Sequence, residues 1–439
     1  MALQRLCMHK LICNSGKVYL PHRVLSTAAN PQKSPNEIVI CDQKYQVDSW
    51  TNVTPNIMSK IGRNLHLLPH HPLSLLRQRI VNFIYMQFRN RIGNPTFSIY
   101  ENLSPIVTVT QNFDSLMVPK DHPSRQKSDC YYINQNTLLR AHTTAHQSEL
   151  ISMGLNNFLV IGDVYRRDEI DSTHYPIFHQ ADAVRLRTAE DVFENVTDST
   201  DLKLFESNGK ETSQKQSCHT FDSIKIMEHE LKSTLVGLAQ VIFGADVKYR
   251  WEDQYFPFTH PSWELEVFHN DEWMEVLGCG IMRQEILMGA GASDRIGWAF
   301  GLGLERLAMC LYNIPDIRLF WSNDSGFLNQ FTVDDPNIDI QYKPVSIYPQ
   351  CTFDISFWLP GDRSYSSTDF YDIVRDLGGE IVEQIMIKDE FVHPKTKQVS
   401  HCYTIVYRHM ERTLSKEEVK VVHTNIEKAV IERLHGKLR

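Results

Sequence analysis

Apolar and polar positions follow helical spacing in long stretches of the chain and alternate in shorter ones. Between 72 and 91 apolar residues recur every three or four positions, which predicts an amphipathic helix that Gly93-Asn94-Pro95 ends. A second helix is predicted over 221–243. Residues 297–312 indicate a glycine-spaced strand that runs into a helix near Leu304. Strands are predicted at 247–251, 262–268 and 273–281.

A hairpin is predicted over 158–186. Its first strand begins with the apolar run 158–161 and ends at Arg166 and Arg167, and its second strand covers 177–186. Charges at the end of a buried strand are costly to place without a partner. The two arginines therefore require an anion, which is either a structural carboxylate or a ligand phosphate. Both alternatives are open on these residues alone.

The last hundred residues have a different pattern from the rest. After a boundary near 332–349, strand, helix, strand, strand and helix follow in turn, and Ser415 with Glu418 predicts a capping box for the last helix. This order is most of a ferredoxin-like βαββαβ sandwich, although its final strand is not evident. We therefore predict an α+β chain with a linker at 333–344 and a C-terminal domain at 345–439.

Composition narrows the class of protein. The chain has 439 residues, 42% of them hydrophobic, and a net charge of −8, which fits a globular protein and gives no overall field for nucleic acid. Its nine cysteines include no CxxC pair, which favours a reducing compartment over a disulfide scaffold. No membrane span is expected. The polar stretch 187–222 is predicted to be a surface insertion.

The first 36 residues contain five Lys or Arg, and the first acidic residue is Glu37. Leucines and an isoleucine lie among these cations at helical spacing. This composition is typical of a mitochondrial presequence over 1–36, and the alternative is a disordered basic tail. Residues 37–71 are interpreted as a lead-in to the first domain.

His142 and His146 are four residues apart, as in zinc-binding HExxH helices. Position 143 is Thr, so the Glu that acts as general base in those helices is missing. The pair alone is a weak indication of zinc.

Several motifs together resemble one enzyme family. YRRD around Arg166 and GLGLER around Arg306 resemble motifs 2 and 3 of class II aminoacyl-tRNA synthetases. Five segments resemble the phenylalanyl-tRNA synthetase family more specifically. The C-terminal domain is similar to that family's anticodon-binding domain. The segments that carry this likeness are DHPSR at 121–125, FHQ at 178–180, YFPFTHPS at 255–262, EVLGCG at 275–280 and GWAFGLGLERLAM at 297–309.

The resemblance implies a fold and a reaction. Residues 72–332 would form the class II catalytic domain, an antiparallel sheet flanked by helices. The family joins phenylalanine to ATP in an adenylate and then transfers it to its tRNA. Charge builds on phosphate oxygens in the first step, so fixed cations are the main catalytic resource. The implied catalytic and ATP-binding residues are Arg166 and Arg306, with Phe178 and Glu275 also at the nucleotide, while Arg167 is expected to point away and serve the surface or the tRNA end.

The implied phenylalanine site combines two aromatic rings with a polar end. Phe256 and Phe258 are two apart, so on a strand they share a face, although an ordinary core role is the alternative. The implied substrate-binding residues are His142, Thr144, Gln180, Asp182, Phe256, Phe258 and Ala299. Three positions depart from the family pattern: Thr144 replaces Ser, Asp182 replaces Glu, and His260 stands where bacterial members have Glu.

The resemblance also implies cofactors and partners. Glu264 and Glu275, and also Glu266, are possible Mg²⁺-side carboxylates, since Mg²⁺ takes one or two carboxylates plus substrate phosphates. For tRNA(Phe) the candidates are Arg408, His409 and Arg412, with Lys388, Lys395 and Lys397 near strand ends; a solvated basic edge is the alternative. A mitochondrial-matrix enzyme is expected, monomeric and without a separate editing module. The rival hypothesis is an inactive synthetase-like RNA-binding or regulatory protein.

Overall fold

The computed structural model describes residues 37–194, 196, 201–269, 271–322, 325–344, 348–360 and 365–439. The predicted presequence at 1–36 lies outside these residues. Within the described part of the chain, no helix combines the length and the apolar character needed to cross a membrane.

The first third of the chain contributes short strands and one long helix. That helix begins at Pro72 behind the N-cap His71, and its fully buried Leu73, Leu76 and Ile80 recur at the predicted spacing. The elements are β1 (Glu37–Ile40), β2 (Gln43–Gln46), α1 (Pro55–Lys60), α2 (Pro72–Gln87), β3 (Ser98–Tyr100), β4 (Ile106–Thr108), α3 (Val109–Asn112), β5 (Tyr132–Asn134), β6 (Thr137–Leu139) and α4 (Gln147–Ser152).

A seven-stranded sheet forms the centre of the molecule. Its order is β3-β7-β8-β12-β11-β10-β9, and every neighbouring pair except β3 with β7 is antiparallel. The remaining elements are β7 (Asn157–Tyr165), β8 (Ile177–Arg187), α5 (Ala189–Phe193), α6 (Phe221–Phe243), β9 (Tyr249–Phe256), β10 (Thr259–His269), β11 (Glu272–Met282), α7 (Gln284–Gly289), β12 (Ile296–Gly303), α8 (Leu304–Tyr312) and α9 (Ser325–Leu328).

Helix α2 packs against α6 and α8, and these two helices pack on the sheet around a single large apolar core. The predicted hairpin β7–β8, the helix at 221–243 and the strand-to-helix passage at 304 are confirmed. The α+β class is confirmed with them.

The C-terminal domain has the complete βαββαβ order. Its elements are β13 (Cys351–Trp358), α10 (Ser367–Gly378), β14 (Val382–Val392), β15 (Val399–Tyr407), α11 (Lys416–Leu434) and β16 (Lys437–Leu438), and the sheet order is β14-β15-β13-β16. The final strand that the pattern did not indicate is therefore present. It is two residues long and pairs with Phe357 and Trp358, which is too short to give a periodic signal.

One local prediction is wrong. Ser415 does accept the backbone N–H of Glu418, but the Glu418 carboxylate pairs with Arg412, so only half of the capping box forms.

The stretch 187–222, predicted to be a surface insertion, has an exposed part and a packed part. Residues 210–214 are exposed. Gln216 is buried, and its side-chain amide donates to the carbonyl oxygens of His260 and Met282, which builds this segment into the sheet domain.

The C-terminal domain packs on the loop between β7 and β8. Ile170 of that loop is buried in the apolar core of the C-terminal domain. The backbone N–H of Ile385, on β14, donates to the carbonyl oxygen of Ile170 at 3.0 Å. The loop that follows Arg166 is thus shared between the two domains.

Candidate active site

Two adjacent cavities lie against β8, β11 and β12. The first has a volume of about 470 Å³ and is lined mainly by aromatic and apolar side chains. The second, of about 330 Å³, has a more polar lining that includes Phe178 and Arg306. Arg166, Gln180, Glu275 and Gly301 line both cavities. The arrangement can hold an apolar group beside an anionic one.

Arg166 follows the last residue of β7 and reaches the boundary between the cavities. Its Nε donates to the carbonyl oxygen of Ala141 at 2.8 Å, and its guanidinium carbon lies 5.1 Å from the ring centroid of Phe178. Burial lowers the pKa of this guanidinium, which stays cationic at neutral pH. None of the carboxylates in the described residues forms an ion pair with it within 4.0 Å.

Arg167 has the opposite environment. It is buried, and two carboxylates of the C-terminal domain, Asp369 at 2.7 Å and Asp372 at 2.6 Å, bind its guanidinium. The expectation that it serves the surface or a tRNA end is therefore wrong. The sequence left two kinds of anion open for these adjacent arginines, a structural carboxylate or a ligand phosphate. Arg167 binds structural carboxylates. Arg166 has no carboxylate partner among the described residues, and its guanidinium faces the cavities, where a ligand anion could bind it.

Arg306 is the third residue of α8 and is more than half exposed. Its nearest carboxylate is Glu275 on β11, with an N–O distance of 3.5 Å. Burial raises the pKa of the Glu275 carboxyl, and the neighbouring Glu264 raises it further while Arg306 opposes the shift. Glu266 is already paired with Arg250 at 2.5 Å. Glu264 and Glu275 are thus neighbouring carboxylates that repel each other, and Glu275 lines both cavities.

Phe256 and Phe258 line the first cavity, but they do not share a face of one strand as predicted. Phe256 ends β9, and Phe258 lies in the turn that leads to β10. Their rings are parallel within 9°, with centroids 5.8 Å apart. Ala299 lies on the same cavity wall, and the lack of a side chain at Gly278 leaves room for the Phe256 ring.

The polar end of this cavity is built around Asp182 on β8. The hydroxyls of Thr143 and Thr144 both donate to its Oδ2 at 2.7 Å. Thr144 also lines the cavity, and its hydroxyl oxygen can still accept a hydrogen bond, so its contact with a substrate stays a prediction. Burial raises the pKa of the Asp182 carboxyl, and the two threonine donors lower it.

Gln180 and His142 have free hydrogen-bonding capacity at the same place. Oε1 of Gln180 and Nδ1 of His142 are buried and have no hydrogen-bond partner. Burial lowers the pKa of His142 to about 3, with Arg166 adding to the effect, so its imidazole is neutral at neutral pH. It can donate or accept a hydrogen bond but supplies no positive charge.

The zinc alternative has no support in the geometry. His142 precedes a short 3-10 helix and His146 lies within it, where the Nε2 atom of His146 is 3.0 Å from Arg140. The described residues contain no cluster of three His, Cys, Asp or Glu side chains suited to a metal. His260 lines neither cavity, and its Nε2 atom lies 2.7 Å from the carbonyl oxygen of Thr212.

A buried pair that the sequence did not single out holds the site together. Glu305 accepts the backbone N–H of His179 at 2.7 Å and lies 2.6 Å from the Nδ1 atom of the same residue. It thereby fixes the strand that carries Phe178 and Gln180 to the start of the helix that carries Arg306. The signal that could have found it is Glu305 itself, an acidic residue that directly follows a strand and the buried Leu304 at the start of α8.

Three of the basic residues predicted to bind tRNA in the C-terminal domain form ion pairs with carboxylates. Arg408 binds Glu383 at 2.7 Å, and its carbonyl oxygen accepts from Arg318 of the first domain, so it lies at the domain boundary. Arg412 pairs with Glu418, and Lys388 pairs with Asp354 at 2.5 Å. The ring of His409 accepts the N–H of Glu411.

A different group on the C-terminal sheet combines aromatic rings and a free cation. The rings of Trp358, Phe391 and His393 lie edge to face at centroid distances of 5.9–6.4 Å. The guanidinium of Arg439 lies 4.4 Å from Phe391 and 5.3 Å from Trp358. We call these four residues the aromatic cluster. The signal in the sequence is the position of the three rings, which lie at or just beyond the ends of β13 and β14 and outside their buried positions.

Comparison with protein-family models gives two matches. Residues 60–196 and 209–331 match the class II core domain (F) of tRNA synthetases. Residues 346–439 match the ferredoxin-fold anticodon-binding domain. Together the matches cover both structural parts of the chain.

Whole-chain relatives agree with these matches. The chain is 56% identical to the probable mitochondrial phenylalanine–tRNA ligase of Drosophila melanogaster, covering 95% of this chain and 96% of that protein. It is 50% identical to the mitochondrial phenylalanine–tRNA ligase of Mus musculus, covering 98% and 95%. It is 43% identical to the chloroplastic/mitochondrial phenylalanine–tRNA ligase of Arabidopsis thaliana, covering 89% and 83%.

Proposed function

This chain belongs to the phenylalanine–tRNA ligase family of class II aminoacyl-tRNA synthetases, and on that premise we propose that it attaches L-phenylalanine to mitochondrial tRNA(Phe) in the mitochondrial matrix. The observation that carries the proposal is the unpaired Arg166 at the boundary of an aromatic-lined cavity and a polar one. ATP and phenylalanine would meet at this side chain.

In the first step a carboxylate oxygen of phenylalanine attacks the α-phosphorus of ATP. The bond from that phosphorus to the bridging oxygen breaks, and pyrophosphate leaves. Arg166 would bind the α-phosphate and the amino-acid carboxylate, and Arg306 the γ-phosphate. Phe178 lies beneath the Arg166 guanidinium and would stack on the adenine. The cations stabilise charge that develops in the transition state, which is where such groups are most effective.

The first cavity suits the phenylalanine ring. Phe256 and Phe258 offer an aromatic wall, and Ala299 leaves space at the floor. The Asp182 carboxyl group would bind the ammonium group. Its threonine donors occupy one carboxylate oxygen, which leaves the other for the substrate. Gln180 and neutral His142 would supply hydrogen bonds from their free atoms.

Glu264 and Glu275 fit the carboxylate share of a Mg²⁺ site. Their mutual repulsion raises the pKa of Glu275 beyond the effect of burial, and a divalent cation would relieve that repulsion. Mg²⁺ usually takes one or two protein carboxylates and fills its other coordination positions with substrate phosphates and water, so two carboxylates are enough for such a site. Mg²⁺ would neutralise charge on the phosphates of ATP there.

In the second step a 2′-hydroxyl of the terminal adenosine of tRNA attacks the acyl carbonyl carbon, and AMP leaves. The C-terminal domain would bind the anticodon, with the aromatic cluster as a stacking surface near the start of β15. Arg412 and His409 follow the other end of that strand and would be a second contact. The inactive alternative expects a disrupted nucleotide site. Intact groups at Arg166, Phe178, Gln180 and Arg306 count against it.

Phenylalanine-dependent exchange of labelled pyrophosphate into ATP tests the first step, and charging of a mitochondrial tRNA(Phe) transcript tests the second. We expect both with phenylalanine and Mg²⁺, and neither when Mg²⁺ is chelated. Folded protein that supports no exchange would overturn the proposal. Exchange without charging would leave an amino-acid-activating enzyme and contradict the tRNA part alone.

A further inference from the structure

The loop 166–176, between β7 and β8, has two sides with different neighbours. Asp168, Thr173, His174 and Tyr175 line the second cavity. Arg166 opens the loop and Phe178 follows it, so the loop determines where both side chains lie. Any group that holds the other side of the loop therefore influences the nucleotide site.

That other side is held by the C-terminal domain. Arg167 donates from Nε to Asp372 at 2.6 Å and from Nη2 to Asp369 at 2.7 Å. Asp372 also accepts the hydroxyl of Tyr131 at 2.9 Å, and its side chain is 8% exposed. Both carboxylates belong to α10, so one helix of the C-terminal domain fixes the residue next to Arg166.

The same attachment continues along the loop. Arg375, also on α10, donates to the carbonyl oxygen of Asp168 at 2.9 Å. Further on, the hydroxyl of Tyr175 donates to Glu380 at 2.7 Å, and Lys60 pairs with the same carboxylate oxygen. With Ile170 buried in the C-terminal core, the loop is anchored at its beginning, middle and end.

We propose that the C-terminal domain positions the activation site: Asp369 and Asp372, by holding Arg167, place Arg166 for adenylate formation in the absence of any tRNA. The inference rests on the proposed function. The two carboxylates are positioning residues, because they touch neither cavity and act through their neighbour. A displacement of about 1 Å at a reacting group costs about 10²-fold in rate, so a modest shift of Arg166 is measurable.

The test uses the full chain and no tRNA. Asp372→Asn keeps the shape of the side chain and removes its charge. We expect the rate of pyrophosphate exchange per active site, counted by the burst of adenylate formation, to fall about tenfold, within the range that misplacement produces. Phenylalanine affinity, measured by titration calorimetry, should fall by a smaller factor than the rate, because Arg166 would touch only the carboxylate of the amino acid and the aromatic wall stays in place.

Asp376→Asn is the matched control. Asp376 lies on the same helix but pairs with Arg433 of α11 at 3.1 Å, inside the C-terminal domain. Its exchange rate should stay within twofold of wild type. In an Arg166→Lys background, Asp372→Asn should cause less than a twofold further loss, since both changes act on one side chain.

Should Asp372→Asn fail to fold, Asp369→Asn serves instead, because the Asp369 side chain is 41% exposed. A folded Asp372→Asn or Asp369→Asn protein with a rate per active site within twofold of wild type would overturn the inference while leaving the proposed function intact. Absence of exchange in the wild-type protein is a separate result, and it would overturn both.

Discussion

Asp372 of the C-terminal domain accepts a 2.6 Å hydrogen bond from Nε of Arg167, and both side chains are buried. The two residues are 205 positions apart in the chain. Asp369 and the carbonyl oxygen of Lys127 complete the surroundings of the guanidinium. The pair therefore links the β7–β8 hairpin to helix α10.

Arg167→Ala should destabilise the protein strongly. Removing one partner of a buried ion pair costs about 3–5 kcal/mol. Arg375 also pairs with Asp372 at 2.9 Å and would keep part of the compensation, so we expect a loss near the lower value. Urea unfolding followed by fluorescence would measure this loss. Arg412→Ala is the control, since Arg412 lies in an exposed pair with Glu418, and its unfolding midpoint should not move. Equal midpoints for the two variants would contradict the structural role of Arg167.

Arg166→Ala should leave the fold intact and remove most of the activation step. By analogy with the loss of one oxyanion-hole donor, the kcat of pyrophosphate exchange should fall about 10²–10³-fold. Arg89→Ala is a suitable control, because that arginine is exposed and bonds only to neighbouring residues at the end of α2. An unchanged kcat for Arg166→Ala would exclude the assigned role.

The sequence sufficed for elements with long or well-marked patterns. The β7–β8 hairpin was predictable because a nine-residue buried strand ends abruptly in charge. Helix α6 has 23 residues, an N-cap at Thr220 and a C-terminal Gly244, so its ends were marked as well. The family motifs then brought Arg166, Phe178, Gln180 and Arg306 to one pair of cavities.

What the sequence could not predict depended on contacts between distant segments. The partners of Arg167 lie in another domain, and nothing in YRRD distinguishes its two arginines. Phe256 and Phe258 fit a strand by spacing alone, but the chain turns between them. The threonine donors to Asp182 come from a separate segment that the sheet brings alongside β8.

Tyrosine should be activated at a measurable rate. The wall around Ala299 and Phe258 is apolar, and such a pocket rejects an added hydroxyl by only about 10²-fold. The ratio of kcat/KM for phenylalanine and tyrosine in pyrophosphate exchange measures this discrimination. A ratio near 10⁵ would show that a buried polar group opposes the tyrosine hydroxyl, which the described cavity wall does not provide.

Stability should fall as the pH is lowered from 7 to 5. Burial lowers the pKa of His66 and of His146 to about 3 and that of His71 to about 4. In the unfolded chain the pKa of a histidine is about 6.5, so below that pH the unfolded state binds more protons than the folded state. The contribution of these neutral histidines to stability is therefore fully present only above about pH 6.5. Each histidine should cost about 2 kcal/mol between pH 7 and 5, which urea unfolding at several pH values would detect.

His71→Asn provides the control for this pH dependence. His71 caps α2 by accepting the N–H of Leu73, and Asn is also a good N-cap. The variant should be less stable at pH 7, because the contact of His71 Nε2 with the carbonyl oxygen of Phe320 is lost. The free energy of unfolding of the variant should nevertheless fall less steeply as the pH is lowered, because about one proton fewer is taken up on unfolding. An unaltered slope would show that His71 does not titrate on unfolding.

Trp358→Ala should weaken tRNA charging without affecting activation. The aromatic cluster presents a ring beside the Arg439 cation, and stacking of one base on such a ring is worth about 1–3 kcal/mol. The KM for tRNA should therefore rise roughly 5- to 150-fold, while phenylalanine-dependent exchange stays at the wild-type rate because it needs no tRNA. Trp358→Phe keeps a ring and should recover most of the affinity. If Trp358→Ala charges tRNA with an unchanged KM, the aromatic cluster is not part of the RNA surface, and the basic edge at His409 and Arg412 becomes the surface to test.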